Sequence, residues 1–300
     1  MKYAMVSYKG ERELVVQVAN EDRLLRLKAA FQQFAPEEEC PNDLIQFIHK
    51  SETLIDRTAD VLRQANETLD GHFWINEEFE WLAPIQSPPK NILCVGKNYA
   101  AHAIEMGSAK DIPEHPLIFT KSENTINAHK QPVPLHEQVT DQVDYEGEVA
   151  VIIGKKAHAI QKEEAWDYVF GFTLLNDITA RDLQARHKQF YLGKSLDGFC
   201  PMGPAVLLSS EREALLQDTI VTKVNGEIRQ QAPLTDMIFD IPELLHVITK
   251  GMTLLPGDII ATGTPSGVGK GMTPPKFLGE GDHVSVHLPS IGTLENTMIR

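Results

Sequence analysis

The chain has 300 residues, 42% hydrophobic and 23% charged, which is the composition of a folded globular protein rather than a disordered or fibrous one. With 28 Lys and Arg against 42 Asp and Glu, its formal net charge of −14 argues against general binding to nucleic acid or to an anionic membrane, since both need clustered cations. The length suits one substantial catalytic unit with a smaller attachment.

The opening residues lack the apolar stretch of a signal peptide, and no window approaches the roughly 20 apolar residues that span a bilayer, so a cytoplasmic protein is expected. Residues 2–8 and 12–19 read as short strands joined at Lys9-Gly10. From Ser51 to Asn66 the pattern is helical, with Leu54, Ile55, Val61, Leu62 and Ala65 on one face and Ser51 as N-cap. A proline-punctuated stretch from Leu82 to Lys90 then suits an extended linker, because each proline disfavours helix in the residue before it. These signals divide the chain into a small N-terminal αβ domain, residues 1–85, of unassigned role, and a catalytic domain, residues 86–300.

Beyond the linker the reading is of strands at 92–95, 117–119, 149–153, 169–175, 205–208, 219–224, 258–262 and 284–287. Asn225-Gly226 and Pro256-Gly257 are turn signals, and a helix is expected over about 242–251 with Leu244, Leu245 and Ile248 inward. Long helices do not alternate with these strands, so the expected class is α+β with a β-rich core. Cys40, Cys94 and Cys200 are scattered and form no CxxC pair, which points to buried reduced thiols.

The chemistry-bearing stretch is Asp144-Tyr-Glu-Gly-Glu148, running directly into an apolar strand. Glu146 and Glu148, at i and i+2, share one face about 7 Å apart, where like charges repel unless a hard cation such as Mg²⁺ or Mn²⁺ offsets them. A solvated strand end is the alternative. Asp177 ends another apolar run and can reach the same rim, or instead cap a turn. Arg181 and Gln184 stand i+4 and i+7 from Asp177, and with Lys194 they suit the grip of a substrate carboxylate or plain surface solvation. His102 and Glu105, at i and i+3, make either an oriented general base or an exposed helical pair. Thr262–Gly271 is a Gly-rich loop that fails the P-loop spacing, because Thr264 stands where the first Gly belongs and Gly271 follows Lys270.

Asn98-Tyr-Ala-Ala-His, Asp144-Tyr-Glu-Gly-Glu, the run from Asn176 to Gln184, Gly193-Lys-Ser-Leu-Asp197, Pro256-Gly-Asp258, Thr262–Gly269 and Gly281-Asp282 occur in the order found in the fumarylacetoacetate hydrolase family, which residues 88–300 resemble. The resemblance implies a mixed β-sandwich roll, a homodimer, and Mg²⁺ or Mn²⁺ on the carboxylates matching Glu146, Glu148 and Asp177. It also implies an acid–base dyad at His102 and Glu105 on a mobile lid, substrate contacts from Arg181, Gln184 and Lys194, and a carboxylate-binding Thr264. Val95 stands where the hydrolase that names the family has a further aspartate ligand, so the resemblance is nearer to its acylpyruvase, oxaloacetate decarboxylase and hydroxy-dienoate isomerase branch.

The implied activity is cleavage of the C3–C4 bond of a small 2-oxo acid. Oxaloacetate decarboxylation is the leading expectation, and acylpyruvate hydrolysis and 2-hydroxyhepta-2,4-diene-1,7-dioate isomerisation are the alternatives, with Lys194 or the dyad handling the enolate proton. A non-catalytic scaffold on the same fold, recruiting a partner through residues 1–85, is the rival of another class.

Overall fold

The structure, a computed structural model, describes residues 1–18, 23–68 and 71–300. The run Gly147–Ile153 is buried at every position, because it lies between two layers. Ala150 and Ile152 face a core that includes Tyr3, Leu14, Phe47 and Val61 from the first 66 residues. Val149, Val151 and Ile153 face a second core with Leu244, Leu245, Ile248, Val286 and Leu294. Alternating side chains of one strand thus serve two faces.

Among the described residues the large sheet has 11 strands. Its hydrogen-bonded order is Leu24–Arg26, Glu11–Gln17, Lys2–Tyr8, Cys200–Leu208, Val169–Asn176, Gly147–Ile153, Ile259–Ala261, Ile92–Gly96 and Leu117–Lys121. The short strands Glu80–Leu82 and Ile126–Ala128 pair off this path. A second sheet of 5 strands runs Glu227–Pro233, Thr219–Val224, His283–Leu288, Gly292–Ile299 and Val133–Pro134. This is the expected β-rich mixed sandwich. The N-terminal strands extend the large sheet, since Lys2 and Tyr3 pair with Leu207 and Val206.

The second sheet approaches the first so closely at Gly147 that a Cβ there would lie 2.1 Å from Thr222 Oγ1. The glycine of Glu-Gly-Glu therefore faces the second sheet, while the two glutamates share the opposite face.

Turn chemistry is where the sequence spoke most clearly. Lys9-Gly10 and Asn225-Gly226 both adopt positive φ, at 54° and 81° and at 52° and 82°, the conformation that two-residue hairpins require. The expected helices appear as Ser51–Asn66 and Ile241–Thr249, the latter burying Leu244, Leu245 and Ile248. Ser51 is the first helical residue rather than the N-cap: the preceding helix Leu44–His49 delivers Lys50, whose carbonyl accepts from Thr53 N and Leu54 N and opens the helix itself. The second expected strand ends at Gln17, and its last expected residue, 19, lies outside the described residues. All three cysteines are buried and unbridged. No helix among the described residues is long and apolar enough to cross a membrane.

Candidate active site

Glu146, Glu148 and Asp177 converge as the sequence suggests, each offering an oxygen within 4.8 Å of the others, all buried. The junction is built by backbone pairing at the strand ends, where Asp177 N donates to Glu146 O at 2.8 Å and Glu146 N donates to Asn176 Oδ1 at 3.0 Å. Adjacent antiparallel strands, Gly147–Ile153 and Val169–Asn176, thereby bring their acidic ends to one rim.

Three buried cations answer these carboxylates. Lys194 Nζ bridges Glu146 Oε2 at 2.6 Å and Asp177 Oδ2 at 2.5 Å. Lys121 Nζ reaches Asp177 Oδ1 at 2.8 Å, and Arg181 Nη2 reaches Glu146 Oε1 at 2.7 Å. Asp144, fully buried, takes Arg181 Nε at 2.8 Å. Glu148 is left without a cation among the described residues; its Oε2 accepts a single amide, Gly263 N, at 2.8 Å.

The electrostatics follow from that asymmetry. Burial opposes the charge on Glu146, but Lys194 and Arg181 outweigh it and hold the carboxyl well below the usual range. Burial, then Asp177 and Glu146, push Glu148 well above the usual range. A buried carboxylate with like-charged neighbours and no cation of its own is the condition a divalent ion relieves, and an all-oxygen donor set suits Mg²⁺ or Mn²⁺. The residues present fit such an ion.

The triad lies at the base of a cleft of about 310 Å³. Glu146, Glu148, Arg181, Gln184, Lys194, His102 and Thr264 line it, so seven of the nine expected site residues reach one cavity directly. The other two stand behind it. Asp177 is covered by Lys194, and Glu105 Oε2 lies 3.3 Å from His102 Nδ1. His102 rides on the short helix Ala100–Glu105, which begins after the buried Asn98. Asn98 Nδ2 donates to Thr262 O at 2.8 Å and Phe239 O at 3.0 Å, which anchors the start of that helix to two other segments of the chain.

Several expectations change in detail. Asp177 and Arg181 do not share a helix, because Thr179–Ala180 is a strand and the helix starts at Arg181. Arg181 is only 2% exposed, and its guanidinium braces Asp144 and Glu146 while also meeting Gln184 Oε1 at 3.3 Å. For Lys194, burial disfavours the charge, yet Asp177 and Glu146 outweigh it and raise the pKa, which suits a fixed ammonium rather than a proton shuttle. Thr264 Oγ1 donates to Gly147 O at 3.0 Å and accepts from Gln230 Nε2 at 2.7 Å, so its hydroxyl proton is already placed.

The Gly-rich loop binds anions, but those anions are the protein's own. Gly267 N donates to Glu105 Oε1 at 2.9 Å, and Gly269 N and Lys270 N donate to Asp144 at 2.7 and 3.0 Å. Together with Gly263 on Glu148, the loop's amides hold three carboxylates in place.

Sequence reasoning missed Lys121, Asp144 and Gln230. Asp144 had a signal, since it extends the period-two spacing of Glu146 and Glu148. Lys121 had none: a lysine ending the strand Leu117–Lys121 reads as a solvated terminus until the fold covers it completely.

The chain is similar in sequence and fold to known proteins. Residues 91–299 match the family described as fumarylacetoacetate (FAA) hydrolase, C-terminal. The oxaloacetate tautomerase YisK of Bacillus subtilis (strain 168) is 49% identical over 288 residues, covering 95% of this chain and 96% of that protein. Among solved structures, a fumarylacetoacetate hydrolase (EaFAH) from the psychrophilic Exiguobacterium antarcticum superposes with a TM-score of 0.82 at 35% identity, covering 100% of this chain and 99% of that one. A 5-carboxymethyl-2-hydroxymuconate delta-isomerase from Mycobacterium smegmatis gives 0.73 at 30% identity, with 100% and 99% covered. With one family profile spanning most of its length and relatives matched nearly end to end, the chain belongs to the fumarylacetoacetate hydrolase family.

Proposed function

We propose that the protein interconverts the keto and enol forms of a small 2-oxo acid of the oxaloacetate class, using Mg²⁺ or Mn²⁺ held by Glu146, Glu148 and Asp177. The observation that carries this reading is that His102, backed by Glu105, lines the same cleft as Glu146 and Glu148 of the carboxylate triad, so a base and a charge-stabilising centre face one small cavity. The 49% identity to a protein named oxaloacetate tautomerase supports the choice of reaction.

When bound, the ion supplies Lewis-acid polarisation of the 2-oxo group. Glu105 engages His102 Nδ1 and leaves Nε2 as the ring nitrogen able to take the C3 proton, while the 2-oxo oxygen gains a proton from water. The electron pair of the broken C–H bond becomes the C2–C3 double bond. Glu105 stabilises the imidazolium that results, the hydroxide left by the water takes that proton and restores the neutral ring, and the reverse path returns a proton to C3. Arg181 and Lys194 hold the carboxyl groups of Glu146 and Asp177 in place through ion pairs at 2.5–2.7 Å.

C3–C4 cleavage passes instead through the enolate of pyruvate: decarboxylation releases the distal group as CO₂, while hydrolysis of an acylpyruvate first adds water to the C4 carbonyl and releases a carboxylate. Purified protein with Mg²⁺ is given enol-oxaloacetate, and the enol absorbance and pyruvate formation are followed together. Rapid loss of the enol signal without matching pyruvate, abolished by EDTA, is the expected result; pyruvate formed at the enol-loss rate makes the enzyme a decarboxylase. No turnover on oxaloacetate or acetylpyruvate favours the scaffold reading. The homodimer and the cytoplasmic location belong to the same proposal, and the mass in solution by light scattering tests the first.

A further inference from the structure

Besides Lys194, three lysines line the cleft: Lys97, Lys188 and Lys270. Lys97 is partly offset by Asp111, whose Oδ1 lies 3.3 Å from its ammonium. Lys188 and Lys270 form no ion pair with any described residue. In a chain carrying a net charge of −14, two unpaired cations on one cavity call for a function.

Both are tied to the substrate-side machinery. Lys270 donates its backbone N–H to Asp144 Oδ2 at 3.0 Å, and the same oxygen holds Arg181 Nε at 2.8 Å. Lys188 is the C-cap of the helix Arg181–His187, which carries Arg181 and Gln184 into the cleft. The Glu146 carboxylate of the cleft is thus ion-paired among buried groups, while Lys188 and Lys270 present unpaired ammoniums at exposed positions of its lining.

Resting on the reading of the cleft as a 2-oxo acid site, we propose that Lys188 and Lys270 form an anion subsite that selects 2-oxo acids bearing a second, distal carboxylate. A substrate whose 1-carboxylate and 2-oxo group face the base presents its far end to these ammoniums. The subsite also bears on the outcome of the reaction. Decarboxylation passes the C3–C4 bond pair to C3 and releases the distal group as neutral CO₂, so a carboxylate paired with two cations is held against that path. Proton transfer at C3 leaves its charge untouched and is favoured.

The test is equilibrium binding by calorimetry to the Mg²⁺-loaded protein, with three probes: 3,3-difluorooxaloacetate, which has no C3 hydrogen to lose, its 4-methyl ester, and oxalate. Wild-type protein is expected to prefer the diacid over the ester by about tenfold or more. Lys188→Ala/Lys270→Ala is expected to erase that preference while binding oxalate as wild type does, which also reports an intact fold and metal site. Lys250→Ala, outside the cleft, keeps the preference. A wild-type protein indifferent to the distal charge, or a double variant that retains the preference or loses oxalate equally, overturns the subsite. A lysine-dependent preference in a protein that does not turn over oxaloacetate supports the subsite and overturns only the proposed reaction. Failure of wild type to bind either the diacid or oxalate with Mg²⁺ overturns both.

Discussion

Glu148 and His102 are the two side chains at which the proposed function is most exposed to test. Glu148 has its pKa raised by burial and by its acidic neighbours, so in the metal-free protein its ionisation costs stability. The sign follows by linkage: a carboxyl with a raised folded-state pKa binds more protons folded than unfolded, so stability falls as pH rises from the ordinary carboxylate range through the folded value. Glu148→Gln keeps an acceptor for Gly263 N and removes the charge. The metal-free variant is expected to melt a few degrees higher than wild type at neutral pH, by calorimetry, and to lose the upward shift that Mg²⁺ or Mn²⁺ gives wild type. His102→Ala is expected to lower kcat by about 10²–10⁴-fold with metal affinity unchanged, since the ring serves proton transfer and is not among the three ligands. Unchanged turnover would refute the base.

At the scale of elements, the Gly-rich loop and the dyad helix form one device. A Cβ on Gly271 would lie 2.4 Å from the Glu105 carboxyl, while one on Gly267 would lie 1.8 Å from Arg229 O at a φ of 109°. The two substitutions therefore separate positioning from stability. Gly271→Ala displaces the far end of a side chain and is expected to reduce kcat about tenfold with little change in Tm, because Glu105 no longer orients His102. Gly267→Ala meets backbone at a strained φ and is expected to cost on the order of 2–4 kcal/mol of stability, read from denaturant unfolding. Equal melting temperatures for the two variants would remove the distinction.

At the scale of the whole molecule, the first 66 residues share one core with the rest. Tyr3 packs on Phe170 with ring centroids 6.2 Å apart, and the same cluster joins Phe47 and Val61 to Ile152 and Met202. Residues 86–300 expressed alone expose that face and are expected to be insoluble, as sedimentation of the expressed protein reads; a soluble monodisperse fragment would show the expected division at residue 85 to be a folding boundary as well.

His129 links distant parts of the chain, its ring against Trp81 and its Nδ1 accepting from Glu295 N at 3.1 Å. Burial lowers its pKa to about 4. An imidazole that stays neutral when folded but charges at about 6.5 when unfolded lets the unfolded chain take up more protons between those values, so stability is expected to fall as pH drops from about 6.5 to 4. The loss is on the order of 1–2 kcal/mol, below the full shift because the site is not wholly shielded. His129→Gln is expected to flatten that part of the pH–stability curve.

Periodicity and turn pairs by themselves determined the β-rich class, the strands 219–224 and 149–153 and both hairpin turns, because these depend on spacing within a few residues, while motif order supplied the nine residues expected at the site. They did not determine Glu227–Pro233, whose sequence EIRQQAP alternates weakly because it is a sheet edge with Ile228 53% exposed. Only tertiary structure decided that Lys121 is buried on Asp177, that Arg181 and Lys194 brace the triad, and that the glycine amides hold carboxylates rather than a ligand. Each of those contacts joins residues from separate parts of the fold, and whether a charge meets water or another charge is set by the covering layer rather than by its sequence neighbours.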